Sequence, residues 1–231
     1  MLIHGKNPVL EAFRAGRTIH TLYVSDSFDR RVLTDFDVGA IPVKVLAKQK
    51  MDAQFPKGHQ GIAADVAEYT GPTLEAVLKQ PGSKLFVMLD TVEDPHNLGA
   101  IIRNAEAFGV TAVIIPKHRS AAVTPTVVKV SAGAIEHISL VTVTNLNQAV
   151  RTLKDHGVWV VGTDLDTNQA LDAIHVDTDL AIVFGSEGKG LSRLLKSQCD
   201  YLVRIPMSGQ TNSLNVSVAC GIVLYDIVRR R

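Results

Sequence analysis

The sequence predicts an α/β protein built on a parallel sheet, and three observations support this fold class. From Lys84 onward, short apolar segments rich in Val and Ile alternate with longer segments of helical periodicity. The apolar segments lack a polar alternation, as expected for strands that are covered on both faces. Strand–helix alternation of this kind favours parallel strands joined by right-handed crossovers.

The first seventy residues predict a smaller α/β unit. Asn7 and Pro8 begin a short helix at 7–13, and the alternation then predicts strands at 19–25, 41–46 and 62–68 with helices at 28–36 and 48–54. Thr70-Gly71-Pro72 and Gln80-Pro81-Gly82-Ser83 interrupt the pattern, as Gly and Pro usually do at domain boundaries. We therefore predict a first domain at 1–70 and a linker at 71–83 that carries a short helix at 74–79.

The remaining chain predicts the larger domain, residues 84–231. The apolar segments predict strands at 85–90, 112–115, 138–143, 158–163, 180–184 and 201–205. Helical periodicity predicts helices at 98–108, 126–137, 146–155 and 191–197, and a last helix from about 213 to the end.

Composition and charge exclude several classes of protein. Hydrophobic residues make up 46% and charged residues 20%, which is typical of a globular domain with a sizeable core. The net charge is only +1, although Lys and Arg outnumber Asp and Glu in residues 1–60 and the chain ends in three arginines. Cys199 and Cys220 are not spaced as metal ligands or as a disulfide framework, so no metal is predicted. Neither a signal peptide nor a membrane-spanning run is evident, which predicts a soluble cytoplasmic protein without a membrane partner.

A first candidate functional fragment follows the strand at 85–90. In residues 94–108 the apolar side chains recur at helical spacing, and Arg103 falls on the opposite side of the helix. Arg103 is therefore either a solvated surface charge or a functional cation. Asn97 lies near the helix N-terminus, where it could cap the helix or help to hold an anion. His96 is interpreted as a turn residue without a catalytic role.

Two further fragments place glycines and polar side chains after strands. Gly185-Ser186-Glu187-Gly188-Lys189-Gly190 allows a ligand to approach the backbone, but it matches neither the Walker A nor the dinucleotide-binding spacing. Glu187 is either a functional carboxylate or a charge that suits a helix dipole. The third fragment runs from Ile205 to Ala219, and its polar residues Asn212, Ser213, Asn215 and Ser217 begin an otherwise apolar helix. Asn212 or Ser213 could cap this helix, and the cluster as a whole suggests a polar pocket.

In this order and spacing, the three fragments closely resemble the three signature motifs of the SpoU class of RNA ribose methyltransferases, within the SPOUT superfamily. The opening sequence His4-Gly5-Lys6-Asn7-Pro8-Val9-Leu10-Glu11-Ala12 resembles the start of a small domain, similar to ribosomal protein L30e, in the TrmH/RlmB-type branch. The resemblance implies an L30e-like RNA substrate-binding domain at 1–70. It also implies a C-terminal SPOUT domain at 84–231, with a parallel sheet and a deep trefoil knot.

The same resemblance implies an activity, which is methyl transfer from S-adenosylmethionine to a ribose 2′-hydroxyl of RNA. The branch points to guanosine in 23S rRNA, free or in a ribosome assembly intermediate, and the class implies a homodimer. The family pattern places cofactor contacts at Thr163, Gly185, Ile205 and Leu214. It places the catalytic set at Asn97, Arg103, Glu187, Ser213 and Asn215.

Three other functions stay open at this point. A tRNA guanosine-2′-O-methyltransferase of the same class would share the motifs, although the N-terminal domain disfavours it. A noncatalytic RNA-binding paralogue is disfavoured because every catalytic position is filled. A nicotinamide-dependent oxidoreductase would fit the α/β alternation but lacks the dinucleotide fingerprint. If RNA is the substrate, basic residues of the first domain could contact phosphates, namely Lys6, Arg14, Arg17, Arg30 and Arg31.

Overall fold

A computed structural model of the chain describes residues 1–34, 36, 38–39, 41–186, 188, 190–211 and 213–231. The strands are β1 (Leu2–His4), β2 (Ile19–Ser25), β3 (Val43–Leu46), β4 (Ile62–Val66), β5 (Leu85–Leu89), β6 (Ala112–Pro116), β7 (Ser139–Val143), β8 (Trp159–Thr163), β9 (Leu180–Phe184) and β10 (Tyr201–Val203). The α-helices are α1 (Lys6–Arg14), α2 (Lys48–Gln54), α3 (Leu74–Leu78), α4 (Pro95–Ala107), α5 (Pro125–Val130), α6 (Leu146–Asp155), α7 (Arg193–Gln198) and α8 (Val216–Arg230). No helix in this described part of the chain is long and apolar enough to cross a membrane.

The chain divides into two compact units. The first consists of Met1–Thr70 together with Ala122–His137, and the second consists of Gly71–Ala121 together with Ile138–Arg231. In the first unit, β1, β4, β2 and β3 form a sheet in that order; β4 is antiparallel to both β1 and β2, and β2 is parallel to β3. Ile3, Leu22 and Ile62 are fully buried in it. This small α/β unit agrees with the sequence prediction, although the short strand β1 was not predicted.

Residues 122–137 differ from the predicted domain division, because they pack in the first unit although they lie in the sequence of the second. The Arg17 guanidinium forms an ion pair with Glu136, and both side chains are more than nine-tenths buried. The Arg17 Nη2 also donates to the Ala67 carbonyl at 2.7 Å. Arg17 is therefore a structural cation, and its predicted role as a phosphate contact does not fit its burial.

We expect Arg17→Ala to lower the free energy of unfolding by about 3–5 kcal/mol, because it leaves the Glu136 carboxylate buried without its cation. Urea unfolding monitored by circular dichroism measures this change. Arg30→Ala is the matched control, since Arg30 is exposed. Equal stability of the two variants would contradict a structural role for Arg17.

The second unit contains a six-stranded sheet in the order β10-β8-β9-β5-β6-β7, and every neighbouring pair is parallel. The predicted parallel sheet is thus confirmed. Its central strands β5 and β9 are buried along their whole length, which is why their sequences are continuously apolar. All six strands end at the same edge of the sheet, and this edge is where α/β proteins bind ligands.

Three local predictions differ from the structure. The helix predicted in the linker is present as α3, but its Leu74 and Val77 are buried in the same core cluster as Phe86, so this segment is part of the second unit and not a free linker. Where a helix was predicted at 28–36, the described residues form a 3-10 turn at Arg30–Leu33. The helix predicted at 126–137 is interrupted after α5, because Gly133 adopts a φ of +90° and a β-carbon there would lie 2.7 Å from Glu11. A 3-10 turn at Ala134–Glu136 follows.

Candidate functional site

A cavity of about 640 Å³ opens at the carboxyl edge of the six-stranded sheet. Thr163, Phe184 and Val203 are the last residues of β8, β9 and β10, and all three line it. These three strands follow one another in the chain and lie side by side in the sheet, in the order β10-β8-β9. The loops that follow them therefore meet at one place.

The four positions that the family pattern assigns to the cofactor lie together in this cavity. Thr163, Gly185, Ile205 and Leu214 all line it, and so does Ser213 from the predicted catalytic set. The Thr163 hydroxyl donates to the Val183 carbonyl at 3.0 Å, which fixes the orientation of this side chain. Residues as far apart in sequence as Thr163 and Leu214 thus form one concave surface.

One wall of the cavity is formed by four residues of the glycine-rich fragment, Gly185, Ser186, Gly188 and Gly190. The N–H groups of Ser186 and Gly190 each donate to the other's carbonyl, at 3.1 and 3.0 Å. A β-carbon on Gly185 would lie 2.1 Å from the carbonyl carbon of Gly190, so no larger residue fits. Gly188 and Gly190 adopt positive φ values of 82° and 62°, which glycine tolerates without strain. The predicted catalytic residue Glu187 lies outside the described residues.

The rim of the cavity carries an ion pair that the sequence prediction missed. The Lys196 ammonium lies 3.0 Å from an Asp164 carboxylate oxygen and 3.6 Å from Asp166. The hydrogen bond from Lys196 to Asp164 raises the pKa of Lys196 above its usual value. Asp164 directly follows β8, so its position after a parallel strand was a signal that could have identified it. Arg193 and Arg204 add further cations to the lining.

Asn97 and Asn215, from the first and third motifs, are hydrogen-bonded to each other. The Asn215 side-chain amide donates to the Asn97 side-chain oxygen at 2.9 Å, and Asn97 is buried. The Asn215 oxygen accepts from the Ser217 backbone N–H at 2.9 Å and so caps α8, a role that the sequence suggested for Asn212 or Ser213. About two turns further along α4, the Asn104 amide donates to the Ser217 carbonyl at 3.0 Å. These contacts join α4 to the start of α8.

The predicted catalytic residues therefore do not all lie at the cavity. Ser213 lines it, whereas Asn97, Arg103 and Asn215 are not among its lining residues. Arg103 projects from the exposed face of α4, as its helical position predicts. No ion pair or hydrogen bond of its side chain occurs within the described part of the chain.

We expect Asn215→Ala to lower the free energy of unfolding by about 1–3 kcal/mol, because it removes both a helix cap and a partly buried hydrogen bond. Methyl transfer should fall as well, since the start of α8 adjoins Ser213. Asn215→Asp is the informative comparison, because aspartate keeps the capping oxygen but cannot donate to Asn97. Denaturant unfolding and single-turnover rates measure the two effects, and unchanged values for Asn215→Ala would disprove the assigned contacts.

Comparisons with known proteins agree with this geometry. The SpoU rRNA Methylase family matches residues 84–225, and a family described as RNA 2′-O ribose methyltransferase substrate binding matches residues 2–72. A Staphylococcus saprophyticus protein, described as belonging to the TrmH family of tRNA/rRNA methyltransferases, is 41% identical over 100% of this chain and 96% of its own length.

Solved structures give the same result. The SpoU methyltransferase AviRb from Streptomyces viridochromogenes, in complex with the cofactor AdoMet, is similar with a TM-score of 0.86 and 25% identity, over 100% of this chain and 90% of that one. An AdoMet-bound rRNA methyltransferase from Sinorhizobium meliloti has a TM-score of 0.84 and 27% identity, over 99% and 87%. The A. aeolicus TrmH/SpoU tRNA modifying enzyme has a TM-score of 0.60 and 30% identity, over 67% and 79%.

The two family matches together cover most of the chain, and the S. saprophyticus relative is similar over all of it. These comparisons exclude the nicotinamide-dependent oxidoreductase and agree with the three sequence motifs. The chain belongs to the SpoU/TrmH family of RNA methyltransferases.

Proposed function

We propose that this protein transfers a methyl group from S-adenosylmethionine to a ribose 2′-hydroxyl of RNA, and that the target is a guanosine of 23S rRNA. The observation that carries this proposal is the single cavity lined by Thr163, Gly185, Ile205 and Leu214. The AdoMet-bound relatives support the choice of cofactor, because they are similar over almost the whole chain.

The cavity fits this cofactor in size and chemistry. Its volume of about 640 Å³ lies within the range of roughly 300–1,000 Å³ that is typical of small-molecule sites. Apolar side chains such as Leu191, Val203 and Ile205 suit the flat face of a purine, and charged groups at the rim suit a zwitterionic tail. Gly185 has no side chain, so the backbone of Gly190 and Leu191 packs directly against it and no side chain projects from this position into the cavity.

The residues of the chain must position the ribose and stabilise charge on its oxygen. When bound, S-adenosylmethionine would supply a methyl group on a sulfonium sulfur. A guanidinium is a permanent cation with five N–H donors, so Arg103 is better suited to hold the neighbouring phosphate and stabilise developing alkoxide charge than to remove a proton. Ser213 lies at the cavity, where its hydroxyl can orient the ribose. The hydrogen bond between Asn97 and Asn215 holds α4, which carries Arg103, against the start of α8, which follows Ser213, and the family pattern adds Glu187 to this set.

The preference for rRNA over tRNA is supported by the first unit. The tRNA modifying enzyme covers 67% of this chain, whereas the rRNA methyltransferase from S. meliloti covers 99%. The substrate-binding family match at residues 2–72 supports a role of this unit in holding RNA.

After the exclusion of Arg17, the exposed cations Lys6 and Arg30 are the better candidates for phosphate contacts. A reaction on rRNA would take place in the cytoplasm.

Mapping of 2′-O-methylation tests the proposal directly. Purified protein is incubated with labelled S-adenosylmethionine and, separately, with unmodified 23S rRNA, large-subunit assembly intermediates and tRNA. We expect one methylated guanosine in the ribosomal samples and none in tRNA. Methylation of tRNA alone would support the alternative substrate, and the absence of label in all samples would overturn the proposed activity.

We also propose a homodimer that forms through α8. The apolar residues Val218, Ile222 and Tyr225 are exposed by 50%, 39% and 59%, and their spacing of four and three residues places them on one side of the helix. Three other apolar residues of α8, Val216, Val223 and Ile227, are instead buried within the unit. The exposed side is the better candidate for contact with a second copy, because burial of apolar area drives association.

We expect Ile222→Asp to convert the dimer into a monomer, because the aspartate would place a charge in an apolar interface. Light scattering at micromolar concentration measures the molecular mass. Leu194→Asp is the matched control, since Leu194 is an exposed apolar residue of α7 in the same unit. A monomeric wild-type protein would contradict the dimer, and a dimeric Ile222→Asp variant would contradict this surface.

A further inference from the structure

The loop after β6 presents three consecutive basic residues that no motif of the family pattern includes. Lys117, His118 and Arg119 follow Pro116, the last residue of β6, and all three side chains are exposed. None of the ion pairs or side-chain hydrogen bonds within the described ranges includes them. The ammonium of Lys117 and the guanidinium of Arg119 are therefore available to a ligand.

The backbone of this loop is held in place at both ends. The Lys117 N–H donates to the Val143 carbonyl at 2.8 Å, next to the end of β7. The Ala121 N–H donates to the Val92 carbonyl at 3.0 Å, in the loop that leads into α4. Between these anchors Arg119 adopts a φ of +60°, which is uncommon for a residue other than glycine. The loop thus presents its cations from a fixed position beside the first motif.

The order of the strands in the sheet shows how far this loop lies from the cofactor cavity. The strands β9, β5 and β6 are neighbours in that order, and neighbouring strands lie about 4.8 Å apart. The end of β6 is therefore roughly 10 Å from the end of β9, where the glycine-rich wall begins. Both loops leave the same edge of the sheet.

The nearby acidic residues do not neutralise this basic loop. Glu93 and Asp94 are exposed in the loop before α4. The Asp94 carboxylate accepts a hydrogen bond from the His96 N–H at 2.9 Å and caps the helix. No carboxylate lies within ion-pairing distance of Lys117 or Arg119 in the described part of the chain.

We propose that Lys117 and Arg119 bind backbone phosphates of the RNA strand that carries the target ribose, and so position that strand at the cavity. This inference rests on the proposed function and extends it to a substrate contact in the catalytic unit. Phosphate is the ligand that fits, because exposed cations without partners contact it independently of base sequence. Arg119 can also engage two phosphate oxygens at once, which fixes orientation as well as position.

The test is a double variant, Lys117→Gln with Arg119→Asn. Asparagine is chosen because it tolerates a positive φ better than most residues, so the loop should keep its shape. The matched control is Lys79→Gln with Arg151→Gln, which removes two exposed cations elsewhere in the same unit. RNA affinity is measured over a series of salt concentrations, together with cofactor affinity and the single-turnover rate at saturating RNA.

We expect the double variant to bind RNA at least about 10-fold more weakly, and its slope of log affinity against log salt should fall by roughly 1.4, about 0.7 for each lost contact to a single strand. Cofactor affinity should stay unchanged in both variants, and the control should bind RNA as the wild type does. Equal RNA affinities and salt slopes for the double variant and the control would overturn the phosphate contact while leaving the proposed function intact. A wild-type protein that neither binds nor methylates RNA would overturn both.

Discussion

Arg103→Ala is expected to reduce the single-turnover rate of methyl transfer by about 10²–10³, which is the loss seen when an enzyme loses one group that stabilises developing negative charge in the transition state. Cofactor affinity should stay unchanged, because Arg103 does not line the cavity. The free energy of unfolding should change by less than about 0.5 kcal/mol, since the side chain is exposed and forms no hydrogen bond or ion pair with the described residues. A large loss of rate without a loss of stability would distinguish a functional arginine from a surface charge.

Two further variants make this prediction specific. Arg103→Lys should restore little activity, because lysine keeps the charge but lacks the planar fork that holds two oxygens. Arg151→Ala removes an exposed arginine from α6 in the same unit and should leave the rate near that of the wild type. Full activity of Arg103→Ala at saturating RNA and cofactor would refute the proposed role.

Gly185→Ala should weaken cofactor binding by on the order of 100-fold. The added β-carbon would lie 2.1, 2.3 and 2.4 Å from the Gly190 carbonyl carbon, the Gly190 oxygen and the Leu191 nitrogen. These are backbone atoms, so the loop must open, and such shifts cost about 1–3 kcal/mol. Because the distortion falls on the wall of the proposed cofactor site, each 1.4 kcal/mol of this cost lowers the cofactor affinity about tenfold.

Isothermal titration calorimetry with S-adenosylmethionine measures the cofactor affinity, and a thermal melt of each variant checks that the fold is retained. Gly209→Ala is the control, because Gly209 belongs to the third motif but the nearest described atom to its added β-carbon would be the Thr211 hydroxyl, at 3.9 Å. This control should bind the cofactor normally. Wild-type affinity in Gly185→Ala would show that the glycine-rich wall is not part of the cofactor site.

Much of the second unit could be predicted because its signals are local. The bounds of α6 and β9 agree with the prediction, since Asn145 caps α6 and β9 is an uninterrupted apolar run. The positions at the cavity came from a motif resemblance, and the structure brings Thr163, Gly185, Ile205 and Leu214 together. Their roles in binding remain predictions that the variants above test.

The features that were missed depend on contacts between distant parts of the chain. The ion pair of Lys196 with Asp164 forms only because α7 and the end of β8 meet in the folded unit. Nothing in the sequence distinguishes Arg17 from an exposed arginine. Its structural role becomes visible only in its contact with Glu136 in the folded unit. The trefoil knot stays an expectation of the family, since a periodic pattern of strands and helices carries no information about threading.

The two-segment composition of the first unit also has a consequence for synthesis on the ribosome. Its sheet strands are all present once residue 66 has been made, but the segment 122–137 that completes the unit is translated after β5, α4 and β6. At about 5–20 residues per second, residues 71–137 take roughly 3–13 s to synthesise. During this interval Arg17 has no Glu136 to pair with, and the apolar residues that α5 later contacts stay uncovered. The nascent N-terminal unit should therefore be a better chaperone substrate than the finished protein, and its protease resistance should rise when residue 137 leaves the exit tunnel.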